Sequence, residues 1–263
     1  MSSIFIYGRP GSGKTTLAAS LTKLGYRVHF LDFDKKIKTM KNLHPLLQEG
    51  SVTYQEPESS LSQESMKSRV LQGMKYWPKI QPKGYLELVD MITDLQQNPP
   101  EDAYRTVPVI DSLSRVNEHL KRLIKHFLQK PKLDFDGWDA VLVNYEELFS
   151  EFYSLQPDVY PHCIMIAHAK DDTIEELKTS ELKPLLDGQF KDKVGGCVEE
   201  QYYCEVEVFN KNQPARYKVL TKPVGKITQA RTSRDLPTQV EADFSVIFEG
   251  EEAPSPPEEV RDE

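Results

Sequence analysis

Cysteine is scarce: Cys163, Cys197 and Cys204 are the only three in a chain of 263 residues. Their odd number and lack of paired metal-ligand spacing exclude a disulfide scaffold and a zinc ribbon, and make a reducing cytoplasm the expected compartment. No apolar run approaches the roughly 18 residues of a membrane span. Residues 1–7 have neither the basic region nor the long apolar stretch of a signal peptide, so no membrane partner is expected. Internal repeats are also missing. Acids are absent between 211 and 234, where Lys211, Arg216, Lys218, Lys222, Lys226, Arg231 and Arg234 stand alone. Residues 249–263 reverse this, with seven acids and one base, and the rest of the chain carries a net charge of only −2. A solvated strand pair and a solubilising tail would explain the two runs. So would a basic binding face for which the tail competes.

What is present is enough for a core, with 38% hydrophobic and 28% charged residues. The first fifty residues read as strand, loop, helix, strand, helix. Ile4–Tyr7 is a short apolar strand, and the helix of residues 14–24 is stopped by Gly25. Residues 26–31 form the next strand, 37–48 a second helix, and 51–55 a third strand. Residues 57–83 read as a polar excursion with one short helix at 65–75. Helical spacing returns at 85–96, and Thr106–Ile110 is a buried strand ending at Asp111. Helices are expected at 113–129, with Leu120, Leu123, Ile124 and Phe127 on one face, and at 138–155. His162–His168 is the most apolar strand, followed by a polar loop with Gly188, Gly195 and Gly196. Residues 202–209 and 216–221 read as an antiparallel hairpin, and 244–248 as a last strand. Alternating strands and helices argue for a mainly parallel sheet covered on both faces.

Gly8-Arg9-Pro10-Gly11-Ser12-Gly13-Lys14-Thr15 matches G-x-x-x-x-G-K-[ST] in full, between a strand and a helix. In this pattern the glycines let backbone N–H groups turn inward around phosphate oxygens, and the helix start adds a favourable dipole. Lys14, expected to be solvent-accessible, would neutralise the β- and γ-phosphates. The Thr15 hydroxyl would ligate Mg²⁺, and Thr16 follows as a further nucleotide contact. A second acid should stand at the end of an apolar strand to hold the metal's water shell, and Asp111 does, although Pro108 is awkward in a central strand. Asp111 also reads as the N-cap of the following helix, and the two roles are compatible. Asp32 and Asp34 end the second strand, where α/β sheets place their ligands. One of them could orient or deprotonate the attacking water, or both could cap the next helix. His168, at the end of its strand, reads as a γ-phosphate sensor or as a plain surface residue.

FLDFDKKIKTMKNLHPLLQEGSVTYQEP, VPVIDSLSRV and CIMIAHAK follow the phosphate loop in the order and character of the RecA-type recombinase core. Together, GRPGSGKTTLA, FLDFDK, VIDSLSR, AHAKDD, PLLDGQFKDKVGG and KVLTKP…ARTSRDLP resemble the phage-encoded RecA-like ATPases, remote recombinase relatives and single-strand annealing proteins. The resemblance covers residues 3–237. It implies a RecA-like P-loop NTPase core of α/β class over residues 1–248, its mainly parallel sheet flanked by helices and closed by a C-terminal antiparallel hairpin. Composition sets the rest apart: the Pro/Glu-rich residues 249–263 have few apolar side chains to dock them and are expected to form a disordered acidic tail. The resemblance also implies ATP and Mg²⁺ as cofactors and single-stranded DNA as partner. A ring or filament of identical subunits follows from it too, with a single-strand-binding protein as a candidate partner in the bacterial host cytoplasm.

By position, Asp34 matches the catalytic glutamate, Asp111 the magnesium-side acid, and His168 the polar residue that couples γ-phosphate to DNA-binding loops. Aspartate at 34 reaches less far than glutamate, which leaves the hydrolysis rate open. In such assemblies a neighbouring subunit supplies cations to the phosphates. Lys222 is the first candidate here, then Arg231 and Arg234, with DNA contacts as their other role. The segment 170–198 stands where these proteins carry a mobile DNA-binding loop. Tyr202 and Tyr203 read either as base-stacking residues or as packing. Two other readings share the phosphate loop: a small-molecule P-loop kinase, and a DNA-binding module using ATP as a non-hydrolysed switch.

Overall fold

The computed structural model describes residues 2–58, 82–156, 159–174, 179–208 and 213–256. In chain order the elements are β1 (Ser2–Gly8), α1 (Lys14–Ala19), β2 (Arg27–Asp32), α2 (His44–Gln48), β3 (Val52–Gln55) and α3 (Gly84–Gln97). Then come β4 (Thr106–Asp111), α4 (Leu113–Leu128), α5 (Phe135–Tyr153), β5 (His162–Ile174), β6 (Thr179–Pro184) and α6 (Phe190–Lys193). The chain continues with β7 (Glu200–Glu207), β8 (Arg216–Leu220), β9 (Gln239–Glu241) and α7 (Phe244–Ile247). The strands lie in the order β3-β2-β4-β5-β1-β7-β8-β9, with β6 paired to the extension of β5. Pairings from β3 to β7 are parallel, and β8 and β9 add antiparallel, so the hairpin of β7 and β8 is as expected.

Strand alternation divides the core into two halves. Ile4 and Ile6 of β1 pack with Leu17, Val28, Phe30 and Val109 on one face. Phe5 and Tyr7 point the other way, among Leu120, Tyr145, Phe149 and Phe152 of α4 and α5. A strand buried on both faces needs a continuous apolar run, which is why β1 and the first half of β5 read so clearly.

Several elements differ from expectation. The helix at 14–24 tightens into a 3-10 turn over Ser20–Leu24 before Gly25, at φ 85°, ends it. The helix expected at 37–48 is interrupted at Met40, which is extended, leaving two 3-10 turns and the short α2. Pro45 explains the break. It lacks an N–H and its ring would clash with the carbonyl four residues back, so it can only open a helix. Pro108 lies inside β4 opposite His29, and pairing with β5 begins one residue later at Val109. Phe127 is 65% exposed while Leu120, Leu123 and Ile124 are buried.

Residues 244–248 form a helix, not a strand. Asp243 caps it by accepting from Ser245 N–H, and Phe244, Ile247 and Phe248 are buried at helical spacing. The missed last strand is β9. The polar loop expected after His168 is instead a two-stranded ribbon of β5 and β6, followed by a docked turn whose Phe190 stacks on Tyr145 at 4.9 Å. The helix expected at 65–75 lies outside the described residues, as does most of the 57–83 excursion. Of the acidic segment, Glu251 pairs with Arg234 at 2.5 Å and the Ala253 N–H donates to the Leu24 carbonyl at 2.8 Å. Residues 257–263 lie outside the described residues.

Candidate functional site

Three neighbouring strands, β1, β4 and β2, end together where β5 passes from the main sheet into its extension, and this edge carries the chemistry. Gly8 of β1 is level with His168 of β5, Ile166 with Asp111 of β4, and Asp111 with Asp32 of β2. Only glycine fits at position 8, because an added Cβ would lie 2.4 Å from the Cys204 carbonyl and 2.6 Å from Ser12 Oγ. Gly13, at φ 88°, turns the loop into α1 against the ring of Tyr217. The loop curls over Lys14, so the expectation of an accessible side chain is corrected. Lys14 is 4% exposed, with its ammonium donating to the carbonyls of Gly8 and Arg9 at 2.9 Å each. Burial lowers its pKa to about 8. Arg9 reaches outward to Asp171 on the ribbon at 2.9 Å.

Thr15 Oγ1 donates to Asp111 Oδ2 at 2.6 Å, and Asp111 is fully buried. The N-cap position of α4 falls to Ser112, so the carboxylate of Asp111 points at the loop rather than capping the helix. Asp34 comes to the same place from the turn after β2. Ser112 Oγ donates to it at 3.0 Å, Lys36 Nζ lies at 3.0 Å, His168 Nε2 at 3.4 Å and Arg115 Nε at 3.9 Å. Burial alone would raise the Asp34 pKa. The hydrogen bonds from His168, Lys36 and Ser112, with the charge of Lys36, outweigh it and hold the carboxyl well below the usual carboxylate range. Asp32 does something else. It is fully buried, accepts from the Ile37 N–H at 2.8 Å, and burial pushes its pKa up to about 6. The capping reading applies to Asp32, and Asp34 alone of the pair lines the cleft.

That cleft measures about 1260 Å³. One wall is the loop with Pro10, Gly11, Gly13, Lys14, Thr15 and Thr16, beside Asp34, Lys36 and His168. The opposite wall is β8 and β9, which bring Tyr217 and Lys218 of the basic segment to the loop. Sequence reasoning missed Lys36, Tyr217 and Lys218 as site residues. For Lys36 the signal was the pair of lysines after the D-F-D acids, of which it is the second.

The remaining candidates lie elsewhere. Gln201 bridges Arg231 and is level with Phe5, three residues or roughly 10 Å before the end of β1. Lys222 shares the small hollow beside Arg231 and Gln201. Arg231 donates to the Val198 carbonyl, and Arg234 is held by Glu251 and by Phe248, whose ring centre is 3.9 Å away. Tyr202 and Tyr203 are 0% and 4% exposed, so the packing reading holds for both and base stacking does not.

The residues present fit a magnesium nucleotide. A hydroxyl and a buried carboxylate in contact at a helix start are the hard oxygen donors Mg²⁺ takes, and backbone N–H groups beside a buried lysine suit phosphate. Fold and loop together define a P-loop nucleotide-binding ATPase with a RecA-like core. The chain belongs to the AAA domain family AAA_24, whose profile matches residues 2–233. No curated protein matches the sequence. Among solved structures, the chain is similar to the flagellar accessory protein FlaH from Methanocaldococcus jannaschii, at 13% identity over 90% of this chain and 83% of that one, with a TM-score of 0.43. It is also similar to the KaiC-like protein PH0186 from Pyrococcus horikoshii OT3, at 12% identity over 89% and 83%, TM-score 0.40. A third likeness is an ATPase from the type III secretion system of pathogenic bacteria, at 11% identity over 77% and 51%, TM-score 0.46.

Proposed function

We propose that this chain binds ATP with magnesium, hydrolyses it, and couples turnover to single-stranded DNA in phage recombination, annealing or replication. The observation that carries the nucleotide part is the 2.6 Å contact of Thr15 with buried Asp111 beneath a complete phosphate loop, with Asp34 alongside. Backbone N–H groups of Gly8–Thr15 bind the phosphates, and Lys14 exchanges its two loop carbonyls for phosphate oxygens. Thr15 and Asp111 hold the ion, which supplies charge neutralisation at the β- and γ-phosphates. Asp34 orients the attacking water, and His168 donates to the γ-phosphate. Because its neighbours keep Asp34 strongly acidic, it is a weak base, so it accepts a hydrogen bond from the water more readily than it removes a proton.

The DNA part rests on the motif resemblance. Exposed Lys222 and Arg231 stand away from their own phosphate loop and are the cations left to meet a neighbour's nucleotide or a DNA strand in a ring or filament. Arg234, paired with Glu251, is demoted. ATP turnover of the purified protein, measured with and without a single-stranded oligonucleotide, tests the reading. Turnover that DNA stimulates and that disappears in Lys14→Ala supports it. Turnover only with a small acceptor would point to a kinase, and tight binding with no turnover to a switch.

A further inference from the structure

The cation bridging the two site acids belongs to the chain itself. Lys36 Nζ lies 3.0 Å from Asp34 Oδ2 and 3.1 Å from Asp111 Oδ1. Arg115 and His168 also reach Asp34, but among the described residues only Lys36 spans both carboxylates. The turn after β2 aims it. The N–H groups of Phe33 and Asp34 both donate to the Asp111 carbonyl, at 2.6 Å and 3.2 Å, which stitches the two strand ends together. Lys35 is left-handed at φ 54°, and the Asp32 carboxylate holds the Ile37 N–H on the far side, so Lys36 swings back over the acids. Its side chain is 31% exposed and lines the cleft.

Both oxygens of Asp111 are thereby engaged, one by the Thr15 hydroxyl and one by the ammonium. An ion held by Thr15 and Asp111 would sit within a few ångströms of Lys36. At that separation like charges repel strongly, so the ammonium and a divalent cation compete for one carboxylate. We propose that Lys36 is a built-in competitor for the divalent cation: it clamps Asp34 to Asp111 and is displaced when magnesium arrives with a nucleotide. The incoming phosphates then give the ammonium a new partner across the cleft, so metal entry without nucleotide is disfavoured. Displacement also pulls on the segment after Ile37, which brings Asn42 to Thr16 at 3.1 Å. This inference rests on the nucleotide reading above, and its first test uses no nucleotide.

Mn²⁺ alone, followed by electron paramagnetic resonance, would be titrated into the full chain and into Lys36→Met and Lys36→Arg. Removing the charge should tighten Mn²⁺ binding at least roughly tenfold, and the arginine variant should stay near the wild type. Mn²⁺ binding in Lys36→Met no tighter than in the wild type overturns the proposal. Folding of each variant is checked by circular dichroism. Should Lys36→Met fail to fold, the wild type decides. Its Lys36 side-chain NMR signal, identified by its loss in Lys36→Arg, must move with Mg²⁺ plus ADP beyond its shift with ADP alone, and an unmoved signal overturns the proposal. Failure of the nucleotide reading would show separately, as a wild-type protein to which ATP does not bind.

Discussion

Lys14 and Asp32 are charged groups taken out of water, and burial shifts them in opposite directions. Lys14 falls from 10.5 to about 8, so between those values the folded chain holds fewer protons than the unfolded one and gains stability as pH rises. Phosphate binding prefers the charged lysine. ATP affinity, measured by calorimetry, should therefore weaken above about pH 8, by up to roughly tenfold per unit, while Lys14→Arg stays flat. A flat wild-type profile would mean the lysine stays protonated throughout. Asp32 rises from 3.8 to about 6. There the folded chain binds the extra proton, so stability is lost as pH rises through that window, by about 3 kcal/mol at most. Asp32→Asn keeps an acceptor for Ile37 and cannot ionise, so its urea midpoint should change less across the same window. The two cleft acids separate differently. Asp111→Asn should lose magnesium-dependent nucleotide binding. Asp34→Asn should keep the affinity and lose turnover by about 10²–10⁴-fold, measured as ATP affinity and kcat. Equal binding losses would mean that Asp34 is not the water-side acid.

Among the elements, α4 shows how periodicity and burial part company. Leu120 and Phe127 share one face by spacing, yet Leu120 is fully buried between helices and sheet and Phe127 is 65% exposed at the last turn. Leu120→Ala should cost about 2–5 kcal/mol by urea unfolding, while Phe127→Ala should fall within about 0.5 kcal/mol of wild type. Comparable losses would put Phe127 in a contact that its exposure denies. The helix end is set locally, by Gln129 at φ 52°. Spacing repeats along a helix whether or not there is sheet beneath.

Across the molecule, the acidic segment is rooted at the edge where the parallel strands begin, away from the phosphate loop. Ala253 attaches beside Leu24, just before β2, and Phe248 stacks on His162 at the start of β5. Arg234 joins the two by lying over Phe248 and pairing with Glu251. Truncation after Glu249 keeps Phe248 under Arg234 but removes Glu251 and Ala253, so it should lower stability by about 1–2 kcal/mol, the scale of a partly exposed ion pair plus a backbone hydrogen bond, and leave ATP affinity unchanged. If the remaining tail competes with DNA, the same truncation should tighten oligonucleotide binding at low salt, with the difference shrinking as salt rises. Equal binding at low salt leaves the tail a solubilising segment.

Local chemistry decided much of this protein before any folding is considered. The phosphate loop is written in consecutive residues because each position acts through its own backbone or side chain. The order of site residues after the loop, the acids Asp34 and Asp111 and then His168, follows from apolar runs that read as buried strands. Asp111 was therefore readable from the sequence, as was the hairpin of β7 and β8. What the tertiary structure alone decided is which distant groups meet. Residue 36 could be seen as a lysine after two acids, but its place between Asp34 and Asp111 depends on the pairing of β2 with β4. The difference between Asp32 and Asp34 depends on where the strand stops: alternation would put both on one face if β2 ran on, but it ends at Asp32 and the turn carries Asp34 to the cleft. Lys218 and Tyr217 reach the cleft because β8 runs antiparallel beside β7, while Lys222, four residues on, is carried away along the same strand direction. Charge sums along a chain say nothing of such directions, because a strand separates its residues by about 3.3 Å each and a sheet brings their neighbours from anywhere in the sequence.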